Sequence, residues 1–171
     1  MSADASVHRS GVTVAIRPYR PADESALICL WQACGITRPW NDPGRDIARK
    51  QTVQPELFLV AHIEDTLVGS LMGGYDGHRG WAYDLAVLPE QRFKGIGRPL
   101  MAALARALKA MGCPKINLMV RTDNIAAHDF YERIGYTQQE VFTRGKREEM
   151  LITGSGFIIS PDGYVITNDH V

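Results

Sequence analysis

The segment Arg92-Phe-Lys-Gly-Ile-Gly97 sets two glycines and two cations between a strand-like apolar run and a helix-like one. A Gly-x-Gly turn that feeds a helix aims several backbone N–H groups at one point, and the positive end of the helix dipole adds to them. Such a cradle binds a pyrophosphate without a side-chain base. Gly95 and Gly97 let phosphate oxygens approach the backbone closely, and Pro99 falls in the first helical turn, where a missing N–H costs little. Taken alone, the turn serves a purely structural purpose equally well. A dinucleotide-binding fingerprint is excluded, because Leu100 stands where the third glycine of GxGxxG belongs. The histidines, His8, His62, His78, His128 and His170, show no ligand spacing, so no metal is expected.

The elements that must position this loop follow from the pattern on either side. Thr13–Arg17 is a β-branched run closed by Pro18. Pro21 opens a helix with Leu27, Leu30, Trp31 and Cys34 on one face. The turn formers of Pro39–Gly44 separate it from a second helix over about Asp46–Thr52. Leu57–Ile63 and Leu67–Gly74 read as a hairpin, and Trp81–Leu88 as the strand before the glycine loop. Leu100, Leu104, Leu108 and Met111 form one stripe of the next helix. Ile116, Leu118 and Val120 alternate with Asn117, Met119 and Arg121, the mark of a half-buried strand. Asp123-Asn124 caps a helix to about Ile134, and Gly135 ends it. Strands over Tyr136–Phe142 and Glu148–Ile152 finish a mixed α/β domain, in the order βααβββαβαββ. The first residues, 1–12, read as a flexible leader.

Three segments in order carry a family resemblance. Arg92-Phe-Lys-Gly95-Ile-Gly97 resembles the R/Q-x-x-G-x-G/A loop of the GNAT acetyltransferase superfamily. Tyr83-Asp-Leu-Ala-Val-Leu-Pro89 is similar to the strand that this family sets beside the pantetheine arm. Asn124 followed by Tyr131 in Asp-Asn-Ile-Ala-Ala-His-Asp-Phe-Tyr-Glu-Arg-Ile-Gly-Tyr136 resembles its second cofactor motif. The resemblance covers residues 13–152. It implies a GNAT fold: a mixed central sheet, helices on both faces, and a V-shaped split between two parallel strands, Trp81–Leu88 and Lys115–Arg121. Acetyl-CoA would lie in that split as co-substrate. Its pyrophosphate would meet Arg92, Phe93, Lys94, Gly95, Ile96, Gly97 and Arg98, its pantetheine the backbone of Leu85 and Val87, and Asn124 would reach the pantetheine. For Asn124, capping the helix is the plainer role, and both can coexist.

Acyl transfer from a thioester to an amine needs a neutral amine, a stabilised oxyanion, and a proton for the departing thiolate. By the resemblance, a strand amide near Val87 supplies the oxyanion donor and Tyr131 the acid, unless Tyr131 only packs its helix on the core. Reference pKa values of about 10 for a phenol and about 8.5 for a thiol make Tyr131 a helper rather than an absolute requirement. Histone-type members carry a glutamate where this chain has Trp81, and ribosomal-protein members carry one where it has Met119. Both departures argue against those acceptors and lend weight to a rival, a non-catalytic acyl-CoA-binding sensor. Asp84 remains as the group for the amine, as in some aminoglycoside-type members, or as a plain exposed strand carboxylate. Trp40, Tyr75, Asp42 and Asp76 could hold a cationic amine through aromatic faces and carboxylates, though Asn41-Asp-Pro and Asp76-Gly are also ordinary turn chemistry.

Composition bounds the rest. Lys+Arg and Asp+Glu both number 19, so charge points to no nucleic acid and no membrane surface. No apolar run approaches the ~20 residues of a spanning helix. Cys29, Cys34 and Cys113 form no CxxC pair, which suits three inert core thiols in a reducing, cytoplasmic compartment. The expected partner is a small-molecule or protein amine, with a homodimer as the assembly to test. Residues 153–171, Thr-Gly-Ser-Gly-Phe-Ile-Ile-Ser-Pro-Asp-Gly-Tyr-Val-Ile-Thr-Asn-Asp-His-Val, look like an HtrA/DegP serine protease fragment carrying its triad histidine, His170. No nucleophile segment follows, so this tail is expected to be non-functional.

Overall fold

Val12, Thr13, Val14 and Ile16 favour extended backbone, and they form strand β2, Val12–Pro18, with Val14 and Ile16 buried and Thr13 and Ala15 exposed. The computed structural model describes residues 5–9, 12–37, 42–121, 123–136, 139–143 and 146–150. The segment expected as a leader contains a strand, β1, Ala5–Arg9, paired antiparallel with β2 from Ala5↔Ile16 to Arg9↔Val12. The chain then runs through helices α1, Glu24–Ala33, and α2, Pro43–Gln51, to strands β3, Phe58–Ile63, β4, Thr66–Tyr75, and β5, Gly80–Val87. Helix α3, Gly97–Ala110, strand β6, Ile116–Leu118, helix α4, Ile125–Arg133, and strands β7, Gln139–Thr143, and β8, Lys146–Met150, follow. Apart from β1, the element order is the one expected. Helix α2 begins three residues early because Asp42 caps it and Pro43 fits its first position. The segment 153–171 lies outside the described residues.

The chain divides into two compact units, Met1–Gly74 with Tyr83–Met111, and Tyr75–Ala82 with Gly112–Val171. In the first unit, antiparallel pairing joins β1 to β2, β2 to β3, and β3 to β4. Phe58–Ala61 and Leu67–Met72 are buried without alternation, as befits strands covered on both faces. Leu27, Leu30 and Trp31 of α1 and Ile47 of α2 join Phe58 and Val60 in one core cluster. The buried Trp31 indole N–H is satisfied by Ser70 Oγ at 2.9 Å. Gly73 has no room for a side chain, since a Cβ there would fall 2.1 Å from Leu104 Cδ1. In the second unit, the first three residues of β5 pair in parallel with β6, Gly80↔Ile116 to Ala82↔Leu118. Beyond Ala82, β5 runs on to Val87, whereas β6 ends at Leu118. β7 and β8 form an antiparallel pair.

A polar knot ties β2 to the turn before α1. Arg17 makes two 2.7 Å bonds to Asp23, which also accepts from the Arg20 N–H at 2.8 Å, and His62 Nε2 lies 3.6 Å from the same carboxylate. Burial alone would raise the Asp23 pKa, but the bonds from Arg17 and Arg20 and the nearby charge hold it below the ordinary value. A depressed folded-state pKa gives stability that is present above the unfolded value of about 3.9 and lost as pH falls through the folded one. Asp23→Asn is therefore expected to cost about 1.5–3 kcal/mol at pH 7, the usual worth of bonds to a charged group. Urea titration at pH 7 and near pH 3 checks it: the gap between parent and variant should narrow at the lower pH. Equal stability at pH 7 would refute it.

Candidate active site

Strand β5 carries three of the site residues expected in the first unit, Asp84, Leu85 and Val87. Tyr83 and Asp84 are both exposed in succession, which breaks the alternation of the strand, and Asp84 sits at φ +49°. A non-glycine residue in the left-handed region costs about 1–2 kcal/mol, and such residues concentrate at functional sites. The sequence pattern carried no signal for this kink. It turns Asp84 toward a small open cleft walled by Trp31, Ile36, Thr37, Pro43 and Asp46. Although Asp84 as a residue keeps surface in contact with solvent, packed protein replaces much of the water around its carboxyl. That burial, and then the negative charge of Asp46, raise its pKa above the ordinary value.

The end of β5 is pinned from two sides. Val87 O accepts the Cys34 thiol at 3.2 Å and the Arg92 Nε–H at 3.3 Å, while the Leu88 N–H donates to Val68 O. Cys34 is therefore a half-buried structural donor, and Cys29 is exposed, so the expectation of three core thiols does not hold.

A 3₁₀ turn, Pro89–Gln91, leads from β5 into the glycine loop. Phe93 and Gly95 both take positive φ, +63° and +84°. A Cβ built on Gly95 meets no protein atom within 4 Å, and Gly97 is the first residue of the fourteen in α3. No side chain caps α3. Its first amides are therefore available to an anion, and Arg92, Lys94 and Arg98 lie exposed around them. Phe93 is 89% exposed, while Ile96 is buried and anchors the loop to the core. The residues present fit a pyrophosphate. Leu85 and Val87 are half-buried on the same strand, so this unit brings together Asp84, Leu85, Val87 and the whole segment from Arg92 to Arg98.

The second unit carries Asn124 and Tyr131. Asn124 caps α4, its Oδ1 accepting from the Ala127 N–H at 3.2 Å. Tyr131 is 8% exposed and meets Phe130 and Tyr136 edge to face, with centroids 5.0 and 5.8 Å away. Asp76 accepts from the backbone N–H groups of Arg79 and His78 and from the Trp81 indole, which hold its pKa down to about 2. Tyr75 donates to Gly77 O. In the first unit, Asp42 accepts from the Arg45 N–H. For Asp42 and Asp76, turn and cap chemistry is the role the structure gives. Trp40 lies outside the described residues. Among the described residues no group of histidine, cysteine and carboxylate side chains could hold a metal ion, and no helix is long and apolar enough to cross a membrane.

A mixed sheet, with a glycine loop that opens a long helix after strand β5, defines an α/β fold with an anion cradle at a helix start. The model of the acetyltransferase (GNAT) family matches residues 25–136. An acetyltransferase from Pectobacterium atrosepticum is 52% identical over 132 residues, 77% of this chain and 94% of that protein. Among solved structures, Ard1 from Thermoplasma volcanium superposes with a TM-score of 0.69 at 22% identity, covering 85% of this chain and 98% of its own. A Salmonella typhimurium protein, yncA, solved with its cofactor acetyl-CoA, gives 0.63 at 19% identity over 82% and 91% of the two chains. The chain belongs to the acetyltransferase (GNAT) family, and its activity is acetyl-CoA-dependent acetyl transfer.

Proposed function

We propose that this acetyltransferase moves the acetyl group of acetyl-CoA to a primary amine on a small molecule or a protein. The observation that carries the reading is the loop from Arg92 to Arg98: left-handed Gly95 with open space at its Cβ position, followed by the uncapped start of α3. The amides of this loop and of the first turn hold the pyrophosphate, and the three cations neutralise phosphate charge. Both acceptor positions of Val87 O are already used within the protein, so a pantetheine partner at Val87 meets its N–H. Leu85 supplies the neighbouring backbone, and Asn124 adds a side-chain amide.

In the mechanism, Asp84 receives a proton from the incoming ammonium, directly or through a water. The amine nitrogen then forms a bond to the acetyl carbon while the C–S bond breaks. A β5 amide near Val87 donates to the carbonyl oxygen as negative charge builds there, and Tyr131 protonates the leaving sulfur. The second proton lost by the attacking nitrogen passes to solvent, from which the Tyr131 hydroxyl is restored. Residues 13–152 carry the activity, residues 153–171 take no part in it, and the compartment is the cytoplasm.

The sensor alternative rests on Trp81 and Met119 standing where other members carry glutamates. Acetyl-CoA binding by calorimetry, followed by a screen of amines and peptide N-termini with detection of free CoA thiol, separates the two. Micromolar-range binding with thiol release on some amine is the expected result. Binding with no release on any acceptor would establish a sensor, and absence of binding would overturn both.

A further inference from the structure

Asp84 as base raises a chemical difficulty. A carboxylate with a reference pKa near 3.9 takes a proton poorly from an alkylammonium near 10.4. The first unit contains an answer in the cleft itself. Asp46 and Asp84 line the same small cleft from different elements, α2 and β5, against Trp31, Ile36, Thr37 and Pro43. Helix α2 cannot swing away freely: Asp42 caps its start, and Ile47, 1% exposed, is fixed in the core cluster. Two carboxylates sharing a site resist ionising together, so one of them becomes the better proton acceptor. Arg49, one turn along α2, forms an ion pair with Asp46, and among the described residues no cation lines the cleft beside Asp84.

We propose that Asp46 is a positioning residue for Asp84: ion-paired with Arg49 on the α2 wall of the cleft, it sets a negative charge beside Asp84 that makes Asp84 the better acceptor for the proton of the substrate ammonium. This rests on the acetyl-transfer reading above. The proton leaves the ammonium nitrogen for an Asp84 oxygen, giving a neutral amine and a neutral carboxyl, and then passes to solvent. Among the described residues, the other ionisable groups on the lining elements are committed elsewhere or lie at the surface. The Cys34 thiol donates to Val87 O, Asp42 accepts from Arg45 N–H, and Lys50 Nζ donates to the carbonyls of Val53 and Gln54. Glu24 accepts from the Tyr19 hydroxyl, and Arg45 and Tyr83 are exposed.

The test is the pH dependence of kcat/KM on the best amine acceptor, for the full chain. Activity requires ionised Asp84, so its pKa sets an acidic limb. Asp46→Asn removes the neighbouring charge and should move that limb down by about one pH unit, with a lower plateau as the base weakens. Arg49→Gln takes a cation away from the pair and should move the limb up. Shifts in opposite directions are not what a merely structural role of α2 would give. Circular dichroism and acetyl-CoA affinity, both expected to match the parent, show that each variant is folded and its cofactor site intact. An acidic limb that stays in place in folded Asp46→Asn overturns the proposal, while transfer and acetyl-CoA binding in the parent continue to support the underlying reading. A parent that transfers acetyl to no amine overturns that reading, and this inference with it.

Discussion

Gly95→Trp should abolish measurable acetyl-CoA binding while the chain stays folded. The separation between these two effects comes from the local geometry. At φ +84° an L-residue is strained, which costs about 1–2 kcal/mol. A domain stability of about 5–15 kcal/mol absorbs that. The loop itself shows the tolerance, since Phe93 already holds a bulky side chain at φ +63° two residues earlier. An added Cβ at Gly95 meets no protein atom within 4 Å, so the indole projects outward rather than into the core. Outward is where the pyrophosphate has to approach the loop and the first amides of α3. Loss of the phosphate contacts removes several charge-assisted hydrogen bonds at once, each stronger than a neutral one. Gly97→Trp should have the same effect on binding, but Gly97 is buried in the first turn of α3, and a larger cost in stability accompanies it. Calorimetry with circular dichroism on both variants decides the matter. Unchanged affinity in a folded Gly95→Trp chain would remove the loop from the cofactor site.

What the sequence disclosed and what it withheld divide along physical lines. The helical stripe of Leu100, Leu104 and Leu108, the capping Asn124 and the hairpin around Glu64 were legible because each is set by local periodicity or turn chemistry. The glycine loop was legible for the same reason. Met111, expected on the helical stripe, is exposed, because α3 ends at Ala110. Strand β1 was not legible, because Ala5–Arg9 is short and polar and gains its order only by pairing with β2. The seven-residue half-buried strand expected at 115–121 is a three-residue β6, Ile116–Leu118. The expected alternation holds only from Leu118 to Val120, because Asn117 is fully buried while Ile116 is half-buried. Pairing, not side-chain pattern, sets strand length. At the site, the kink at Asp84 and its shared cleft with Asp46 depend on contacts between residues far apart in the chain. Composition around Asp46 reads only as a polar helix, and nothing in it names a partner on β5. The two-sided grip of Cys34 and Arg92 on Val87 O is hidden in the same way.

Tyr131→Phe should lower the transfer rate by about 10²–10⁴-fold, with acetyl-CoA affinity and stability close to those of the parent. The substitution is well matched to the question because the ring is already at home in an aromatic cluster. Phe130 and Tyr136 meet it edge to face, and a phenylalanine ring preserves both contacts. Only the hydroxyl leaves. If Tyr131 were simply a packing residue, the effect would be the loss of one hydrogen bond, about 1 kcal/mol of stability, and no effect on chemistry. If it protonates the departing sulfur, the same deletion raises the barrier by about 3–5 kcal/mol. The two cases differ in magnitude and in the quantity affected. Tyr136→Phe is the internal comparison. Burial pushes the Tyr136 pKa up to about 12, its ring belongs to the same cluster, and the mechanism gives it no proton to move. Its removal of a hydroxyl should leave the rate within a few-fold of the parent. Single-turnover measurements on both variants, with a saturating amine, isolate the chemical step from product release. Equal losses in Tyr131→Phe and Tyr136→Phe would assign the effect to packing of the cluster, and a Tyr131→Phe rate equal to the parent would leave the leaving sulfur to be protonated by solvent.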